Sequence, residues 1–328
     1  MLKRCFYSIA IICAIGIGPM GWAGCDAVPG AATNPLTSGG TAGDLTNDNA
    51  GGSGPSISVS ATQLEQLSLE RINRARLRPA QEASMNGIAI DEGAPGKLDT
   101  VPKQPVALNT SLNQSAKAHS RDMLAQNYFE HNSLTGKTPF QRMSDAGYLY
   151  ASAGENLAWR GTTGSVNENQ FVEQQHVDLF VDTDIVGRGH RLTMLNEAFR
   201  EVGIGIVRGS FTHNGTRYDS IMQTQDFGAP PNSPTFVLGV VYNDTNSNGR
   251  YDFGEGVPSA PVSIGTATRS TNSAGGYSFA VAESGAYTLQ FSGNRFQSLN
   301  IVRGQKNIKV DLVNGNTVVV NLGVGILN

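Results

Sequence analysis

No cysteine occurs beyond residue 25 of this 328-residue chain, whose three cysteines are Cys5, Cys13 and Cys25. The sequence after residue 25 therefore has no material for a disulfide framework, a thiolate zinc site, an iron–sulfur cluster or a catalytic thiol. Packing and hydrogen bonding must hold the fold there. An ion bound in that part of the chain would take nitrogen and oxygen ligands.

Low charge and high glycine indicate the broad class of protein. Charged residues make up 16% of the chain, and 39 of its 328 residues are glycine, against usual shares of about 25% and ~7%. This composition is typical of an exported protein that is rich in strands and turns. The formal net charge of −3 offers no basic surface, so no nucleic-acid partner is predicted.

The first 24 residues have the pattern of an export signal peptide. A basic start precedes an apolar run at 6–17, which is too short for a membrane-spanning helix. The Ala-Gly-Cys triplet that ends at Cys25 resembles the processing site of bacterial lipoproteins. It predicts a lipid on Cys25 that anchors the chain to a membrane. The alternative is ordinary cleavage after Ala23, and the predicted location is the cell envelope or the extracellular space.

Residues 25–60 are Gly, Ala, Thr, Ser, Asn and Pro with very few large apolar side chains. A segment of this composition cannot bury enough surface to fold by itself. We therefore expect a flexible tether between the signal and the first domain.

The segment 61–230 is predicted to be an α+β domain. Helical patterns cover 62–78, 111–127, 138–147 and 166–181, and a short helical stretch follows through 195. Capping boxes are expected at Thr62 and Ser165, and Pro79 is expected to end the first helix. Strand-like runs at 201–208 and 217–226 flank Asn214-Gly215, which indicates a hairpin.

Five motifs in this segment occur in an order that resembles the CAP superfamily of cysteine-rich secretory, antigen 5 and pathogenesis-related proteins, also called the SCP domain. They are LERINRARLRPA at 69–80, PVALNTSLNQSAKAHSRDMLAQNYFEHNS at 105–133, GENLA at 154–158, GRGHRLTML at 187–195 and REVGIG at 200–205. The resemblance implies an α-β-α sandwich around an antiparallel sheet. It also implies a cavity in which two histidines and two acidic residues bind zinc or another divalent ion.

Three cavity residues follow from the resemblance, namely His131, Glu155 and His190. Neutral imidazoles and carboxylates are ligands that zinc accepts. A carboxylate there could instead bind the imidazole nitrogen that does not contact the ion, and so orient the ring.

The second acidic residue is expected on the helix before His190, where this sequence departs from the family pattern. Glu173 is the first choice by position. Glu173 and His176 share a helical face, so His176 is a further candidate ligand. Asp178 and Asp182 are weaker candidates.

The segment 235–328 lacks helical periodicity and is predicted to be a small all-β sandwich. Its strand-like runs are FVLGVVYN, APVSIGT, GGYSFAV, GAYTLQF, NIKVDLV and NTVVVNL. Much of it resembles the Sdr B-type or Cna B-like modules of bacterial surface proteins. That resemblance implies a stalk or spacer.

A twelve-residue loop in this segment, DTNSNGRYDFGE at 244–255, matches the side-chain pattern of a calcium-binding loop. Gly249 permits the sharp turn, and no helix flanks the loop, so it predicts a structural Ca²⁺ ion rather than a switch. The candidate ligands are Asp244, Asn246, Asn248, Arg250 through its carbonyl, Asp252 and Glu255.

Three functions are compatible with these features. The first is a non-catalytic binding protein whose cavity holds a divalent metal and a lipid or extracellular macromolecule. The second is a metal-dependent, peptidase-like hydrolase in which Glu155 or Glu173 is the base and His131 and His190 are ligands. The third is a structural surface adhesin. The first is favoured, because the resemblance does not imply a shared reaction.

Overall fold

The fold is described from a computed structural model, which describes residues 62–293 and 295–320 together with the backbone of two short strands. The strands β1 (Ile11–Ala14) and β2 (Ser56–Ile57) are these two segments. Cys25 and most of the predicted signal and tether lie outside the described residues.

Helices and strands alternate in the first part of the chain and strands alone follow. The helices are α1 (Gln63–Leu77), α2 (Pro79–Met85), α3 (Thr110–Gln126), α4 (Pro139–Asp145), α5 (Glu168–Val181) and α6 (Gly189–Met194). The strands after β2 are β3 (Ala107–Leu108), β4 (Ser152–Thr162), β5 (Glu201–His213), β6 (Thr216–Ala229), β7 (Thr235–Tyr242), β8 (Pro261–Ile264), β9 (Ala267–Ser270), β10 (Gly276–Val281), β11 (Gly285–Phe291), β12 (Arg295–Ile301), β13 (Ile308–Val313) and β14 (Asn316–Val320). This mixed content agrees with the predicted α+β class.

The first sheet has the order β1-β4-β6-β5-β3. Its long hairpin joins β5 and β6, and both turn residues have positive φ, 49° at Asn214 and 75° at Gly215. The predicted hairpin is therefore confirmed, with strands longer than expected. β4 lies next to β6 on one side, and only the short β1 lies on its other side among the described residues.

Helices pack on both faces of this sheet. Even-numbered residues of β5, such as Val202 and Ile204, share an apolar core with α1, α5 and α6. On the opposite face α3 approaches β5 very closely, since a Cβ atom at Gly203 would lie 2.0 Å from the main chain of Leu112. Successive residues of β4 and β6 therefore point alternately towards the helices on one face of the sheet and those on the other.

Helix capping agrees with the prediction at α1 and differs from it at α5. The capping box between Thr62 and Glu65 begins α1 as predicted. α1 ends at Leu77 with Arg78 as its C-cap, so it stops before Pro79 as predicted, and Pro79 is the first residue of α2. The cap of α5 is Asn167, which accepts from the N–H of Gln170, and not the predicted Ser165.

The second half contains two sheets, of order β10-β7-β13-β14 and β12-β11-β8-β9-β2. Side chains from both sheets form one apolar core, which includes Val237 and Val310 from the first sheet and Val262 and Leu289 from the second.

The two halves are packed against each other. Val240, Tyr242 and Tyr251 belong to the same apolar core as α1. Lys309, on β13, forms ion pairs with Glu70 of α1 and with Asp311. This contact differs from the separate stalk that the family resemblance implies.

Within the part of the chain that is described, none of the helices combines the length and the apolar character that crossing a membrane requires.

Candidate functional site

His131 lies in the loop after α3 and is held by two residues. Its Nδ1 is 2.6 Å from Oε1 of Glu155, on β4. Arg142, on α4, donates to the main-chain carbonyl of His131 at 2.7 Å and to Oε2 of Glu155 at 2.5 Å. His131 and Glu155 are both buried. The predicted pair is therefore brought together, and Glu155 contacts the ring nitrogen that faces away from its Nε2.

His190 is held in the same way by a different carboxylate. Asp182 follows the last turn of α5 in a left-handed conformation, with φ of 57°. Its Oδ1 lies 2.6 Å from Nδ1 of His190, and its Oδ2 accepts the main-chain N–H of His190 at 2.9 Å. Both side chains are completely buried. Asp182, one of the two weaker candidates from sequence, is thus the acidic partner of His190.

Both imidazoles have the same ring nitrogen unpaired. Nε2 of His131 and Nε2 of His190 are buried, and neither has a hydrogen-bond partner. Burial, followed by the charges of His190 and Arg142, lowers the pKa of His131 to about 3. His131 is therefore neutral at physiological pH. When Glu155 is ionised it accepts the proton on Nδ1 of His131, and Nε2 then carries the lone pair.

The structure does not place Glu173 with these histidines. Both of its carboxylate oxygens accept from Arg71, at 2.5–3.0 Å, and its side chain is 38% exposed. His176 is buried but pairs through Nε2 with Glu82 at 2.9 Å. The predicted grouping of Glu173 and His176 in the cavity is corrected accordingly, because guanidinium and carboxylate partners on α1 and α2 engage them.

Arg142 and Asp226 are site residues that the sequence analysis missed. Asp226, on β6, lies directly opposite Glu155 across the ladder and is completely buried. A carboxylate at the end of the predicted strand 217–226 is the signal that could have identified it. Arg142 had no comparable signal, because α4 is amphipathic and an arginine there is ordinary.

Burial keeps these carboxyl groups partly protonated. It raises the pKa of Glu155 to about 7, although Arg142 opposes the shift. Burial and then the charge of Glu155 raise the pKa of Asp226 well above its usual range. Two facing carboxyls with one adjacent arginine thus share less than two negative charges at neutral pH.

Further polar atoms are buried near the histidines. Asn156 donates to the carbonyl of His190 at 3.2 Å, which ties α6 to β4. Its Oδ1 and the Oγ1 of Thr193 are buried without a hydrogen-bond partner. Buried polar atoms of this kind indicate a site that accepts a polar ligand or ion.

The donor atoms fit a divalent metal in part. Two imidazole nitrogens with carboxylates behind them are the arrangement seen around protein-bound zinc. Across the described ranges, however, no group of three or more His, Cys, Asp or Glu side chains is close enough to hold a metal ion. His131 and His190 are the residues that could hold one, with further ligands from outside the protein.

The loop at 244–255 has the predicted turn. Gly249 has a φ of +74°, and its N–H donates to Oδ2 of Asp244 at 2.9 Å. Glu255 accepts from the N–H groups of Thr245 and Asp252. Asp252 accepts from the side chains of its loop neighbours and also from Arg71 at 2.8 Å. The loop is therefore linked to α1.

Comparison with known families agrees with the motifs in the first half. Residues 69–227 match the model of the cysteine-rich secretory protein family, CAP. This part of the chain is a CAP domain. The resemblance of residues 235–328 to Sdr B-type or Cna B-like modules stays a prediction.

Two curated relatives match over part of their length. The chain is 34% identical over 104 residues to "Uncharacterized protein YkwD" of Bacillus subtilis (strain 168), covering 32% of this chain and 35% of that protein. It is 27% identical over 99 residues to "Uncharacterized membrane protein YlbC" of the same organism, covering 30% and 25%. The chain therefore spans about a third or less of these relatives.

Solved structures are similar over limited regions. One is an extracellular protein containing a SCP domain from Bacillus anthracis str. Ames, with 25% identity, a TM-score of 0.28 and coverage of 38% of this chain and 34% of that one. Another is an outer surface protein from Borrelia burgdorferi, with 15% identity, a TM-score of 0.33 and coverage of 54% and 99%.

Proposed function

We propose that this is an exported CAP-domain protein that binds a divalent metal between His131 and His190, with an extracellular ligand beside it. The observation that carries the proposal is the pair of buried Nε2 atoms without hydrogen-bond partners. A buried imidazole nitrogen that lacks a partner is costly unless something else binds it.

The second contact of each ring supports this function. Oε1 of Glu155 and Oδ1 of Asp182 each lie 2.6 Å from Nδ1 of the ring they contact, and when ionised they accept its proton. This fixes the tautomer in which Nε2 can bind a metal, and it makes the nitrogen more basic. Both carboxylates therefore orient the ligands rather than bind the ion. Zinc fits nitrogen donors of this kind, and a bound ion would act as a Lewis acid towards its remaining ligands.

A hydrolase is the weaker alternative. Both predicted bases are engaged elsewhere, since Glu155 accepts from His131 and Arg142, and Glu173 accepts from Arg71. Each carboxylate is therefore already bound by an arginine. The third alternative, a structural adhesin, does not account for two buried imidazoles with open nitrogens.

Metal content of the purified full-length chain tests the proposal. After dialysis against zinc, elemental analysis is expected to give about one ion per chain, and His131→Ala with His190→Ala should abolish it. Glu155→Gln should weaken metal binding by a factor of about 10–100, as losses of an orienting partner do.

His176→Ala is the matched control. His176 is also buried and also paired with a carboxylate, but it lies outside the pair. Its substitution should leave metal content unchanged. Equal zinc in the double variant and the unsubstituted chain would refute the metal site.

We further propose that the 244–255 loop binds Ca²⁺ through Asp244, Asn246, Asn248, the Arg250 carbonyl, Asp252 and Glu255. The φ of +74° at Gly249 supports it, because that turn brings the oxygens of such a loop inward. Calcium should raise the melting temperature over that in chelator, and Asp244→Ala should remove the difference. An identical melting temperature in both conditions would exclude a structural ion.

We also propose a location for the protein. An export signal over residues 1–24 would place the protein in the cell envelope or outside the cell. A lipid on Cys25 would attach it to the membrane through the 25–60 tether. The direct contact between the two halves means that the second half would support the CAP domain rather than extend away from it.

A further inference from the structure

The edge of the first sheet passes directly beside the histidine pair. β4 is bonded to β6 along one side for its whole length, from Ser152 to Thr162. Alternate residues of an antiparallel strand direct their N–H and C=O groups to its other side. Glu155, the partner of His131, lies in this strand. A second chain bonded to that outer side would therefore run past the site.

The structure contains an example of such a segment. The backbone of Ile11–Ala14 pairs antiparallel with β4, and the register places Ile11 opposite Glu155 and Ala14 opposite Ser152. This part of β4 can thus accept an extended chain in regular register. The sequence around Ile11–Ala14 is the apolar core of the predicted signal, so the paired segment is apolar.

The loops around the site expose large apolar side chains. Leu149, three residues before β4, is 77% exposed, and Val186, four residues before His190, is fully exposed. Leu134, three residues after His131, is 61% exposed. Each of these loops leads to or from a site residue. An apolar partner would cover side chains that otherwise face water.

We propose that the outer edge of β4 at Ser152–Glu155 binds an extended, apolar polypeptide segment by strand addition. This deepens the proposed function, on which it rests for the position of the site, by naming the ligand class. Main-chain hydrogen bonds supply affinity, and alternate side chains of the bound segment supply specificity. Once an export signal has been removed, another apolar chain can occupy the edge.

The test uses the chain without its first 24 residues, with Cys25→Ser, which keeps both halves. The probe is a fluorescent peptide of residues 8–17 with Cys13→Ser and lysine pairs at its ends. Binding is measured by anisotropy. Four further peptides carry one backbone N-methyl group each, at positions 11, 12, 13 or 14.

Strand addition predicts an alternating result. N-methylation at two alternate positions should weaken binding roughly five- to tenfold, since each removes one main-chain hydrogen bond. The other two positions should bind unchanged. Equal effects at all four positions would overturn the proposal, because simple apolar burial has no such period. Absence of saturable binding would also overturn it.

Protein variants locate the surface. Leu149→Ser with Val186→Ser should weaken peptide binding, whereas the control Phe296→Ser with Val302→Ser should not. The control residues are exposed by 64% and 53% and belong to the second half. Neutral phosphatidylcholine vesicles test a membrane occupant. Vesicle binding lost in the Leu149 and Val186 variant, with no peptide binding, would overturn the proposal in favour of a lipid surface.

Failure of the metal proposal would be distinguishable. The peptide bonds to backbone, so His131→Ala with His190→Ala should retain the alternating N-methyl effect. Retained alternation with no zinc bound would remove the metal function and support strand addition. Zinc binding without the alternating N-methyl effect would support the metal function and overturn strand addition.

Discussion

Glu201 shows how a single buried carboxyl makes stability depend on pH. It begins β5 and is 2% exposed. It accepts from Nδ2 of Asn109 at 2.8 Å and from the hydroxyl of Tyr148 at 2.9 Å. Burial outweighs these hydrogen bonds and raises the pKa of Glu201 to about 7. In the unfolded chain the same group ionises near its ordinary value.

Stability should therefore fall as the pH rises between these values. The folded state holds the Glu201 proton up to about pH 7, whereas the unfolded state releases it above about pH 4.5. Unfolding thus releases a proton in this window, and each pH unit costs about 1.4 kcal/mol of folding free energy. Glu201→Gln should remove a loss of roughly 3 kcal/mol between pH 4.5 and 7. Urea unfolding of the unsubstituted chain and of the Glu201→Gln variant at several pH values measures this difference. Parallel pH profiles of the free energy of unfolding would contradict the assignment.

The histidines of the site were predictable, but their acidic partners only in part. Motifs identified His131, Glu155 and His190. Glu173 was preferred over Asp182 because helical position was the only guide. The structure reverses this choice because Asp182 lies beyond the helix, where its left-handed backbone turns it to His190. Helical periodicity cannot place a residue outside the helix.

At the scale of elements, contact between α3 and β5 requires glycine. A Cβ atom at Gly205 would lie 2.3 Å from the main-chain nitrogen of Lys117, and one at Gly203 would lie 2.0 Å from Leu112. Neither glycine has a positive φ, so the requirement is steric. Gly209, further along β5, would meet only the flexible side chain of Leu124 at 3.0 Å.

Alanine at these positions should separate steric contact from glycine flexibility. Gly203→Ala or Gly205→Ala must displace helix backbone and should destabilise the fold by about 1–3 kcal/mol or more. Gly209→Ala should be close to neutral, since a leucine side chain can move and alanine stiffens the unfolded chain. Chemical denaturation of the three variants tests this. Similar losses at all three would contradict the contact.

Long amphipathic helices and the hairpin were predictable because local pattern and turn chemistry determine them. β4 was identified only as a motif, because its sequence mixes glycine, glutamate and asparagine with apolar residues. It is buried through its contacts with helices on both faces, which produce no alternation. β9 and β12 were missed because their side chains are largely exposed. Their pairing depends on neighbouring strands.

At the scale of the whole molecule, Arg71 joins the two halves. It is 1% exposed and binds three residues on two elements: Glu173 on α5, and both Asp252 and the carbonyl of Tyr251 in the 244–255 loop. Composition and periodicity indicate two separate domains, since the helical pattern stops near residue 230. They do not show this contact, because Glu173 and Asp252 lie 102 and 181 positions from Arg71 in the sequence.

Arg71→Met should therefore weaken more than one ion pair. Breaking a buried pair leaves carboxylates without a counter-charge, and we expect a loss of about 2–4 kcal/mol, reduced by the partial exposure of Glu173 and Asp252. Trp159 reports on the first half by fluorescence, and circular dichroism reports on the strands of both halves. The unsubstituted chain should melt in one transition by both measurements, and the variant in two.

Arg208→Met is the control, since Arg208 also binds two carboxylates but is 48% exposed, so its loss should change little. One shared transition in Arg71→Met, at an unchanged temperature, would show that Arg71 is not needed to join the halves, which then rest on apolar packing and the ion pair between Lys309 and Glu70.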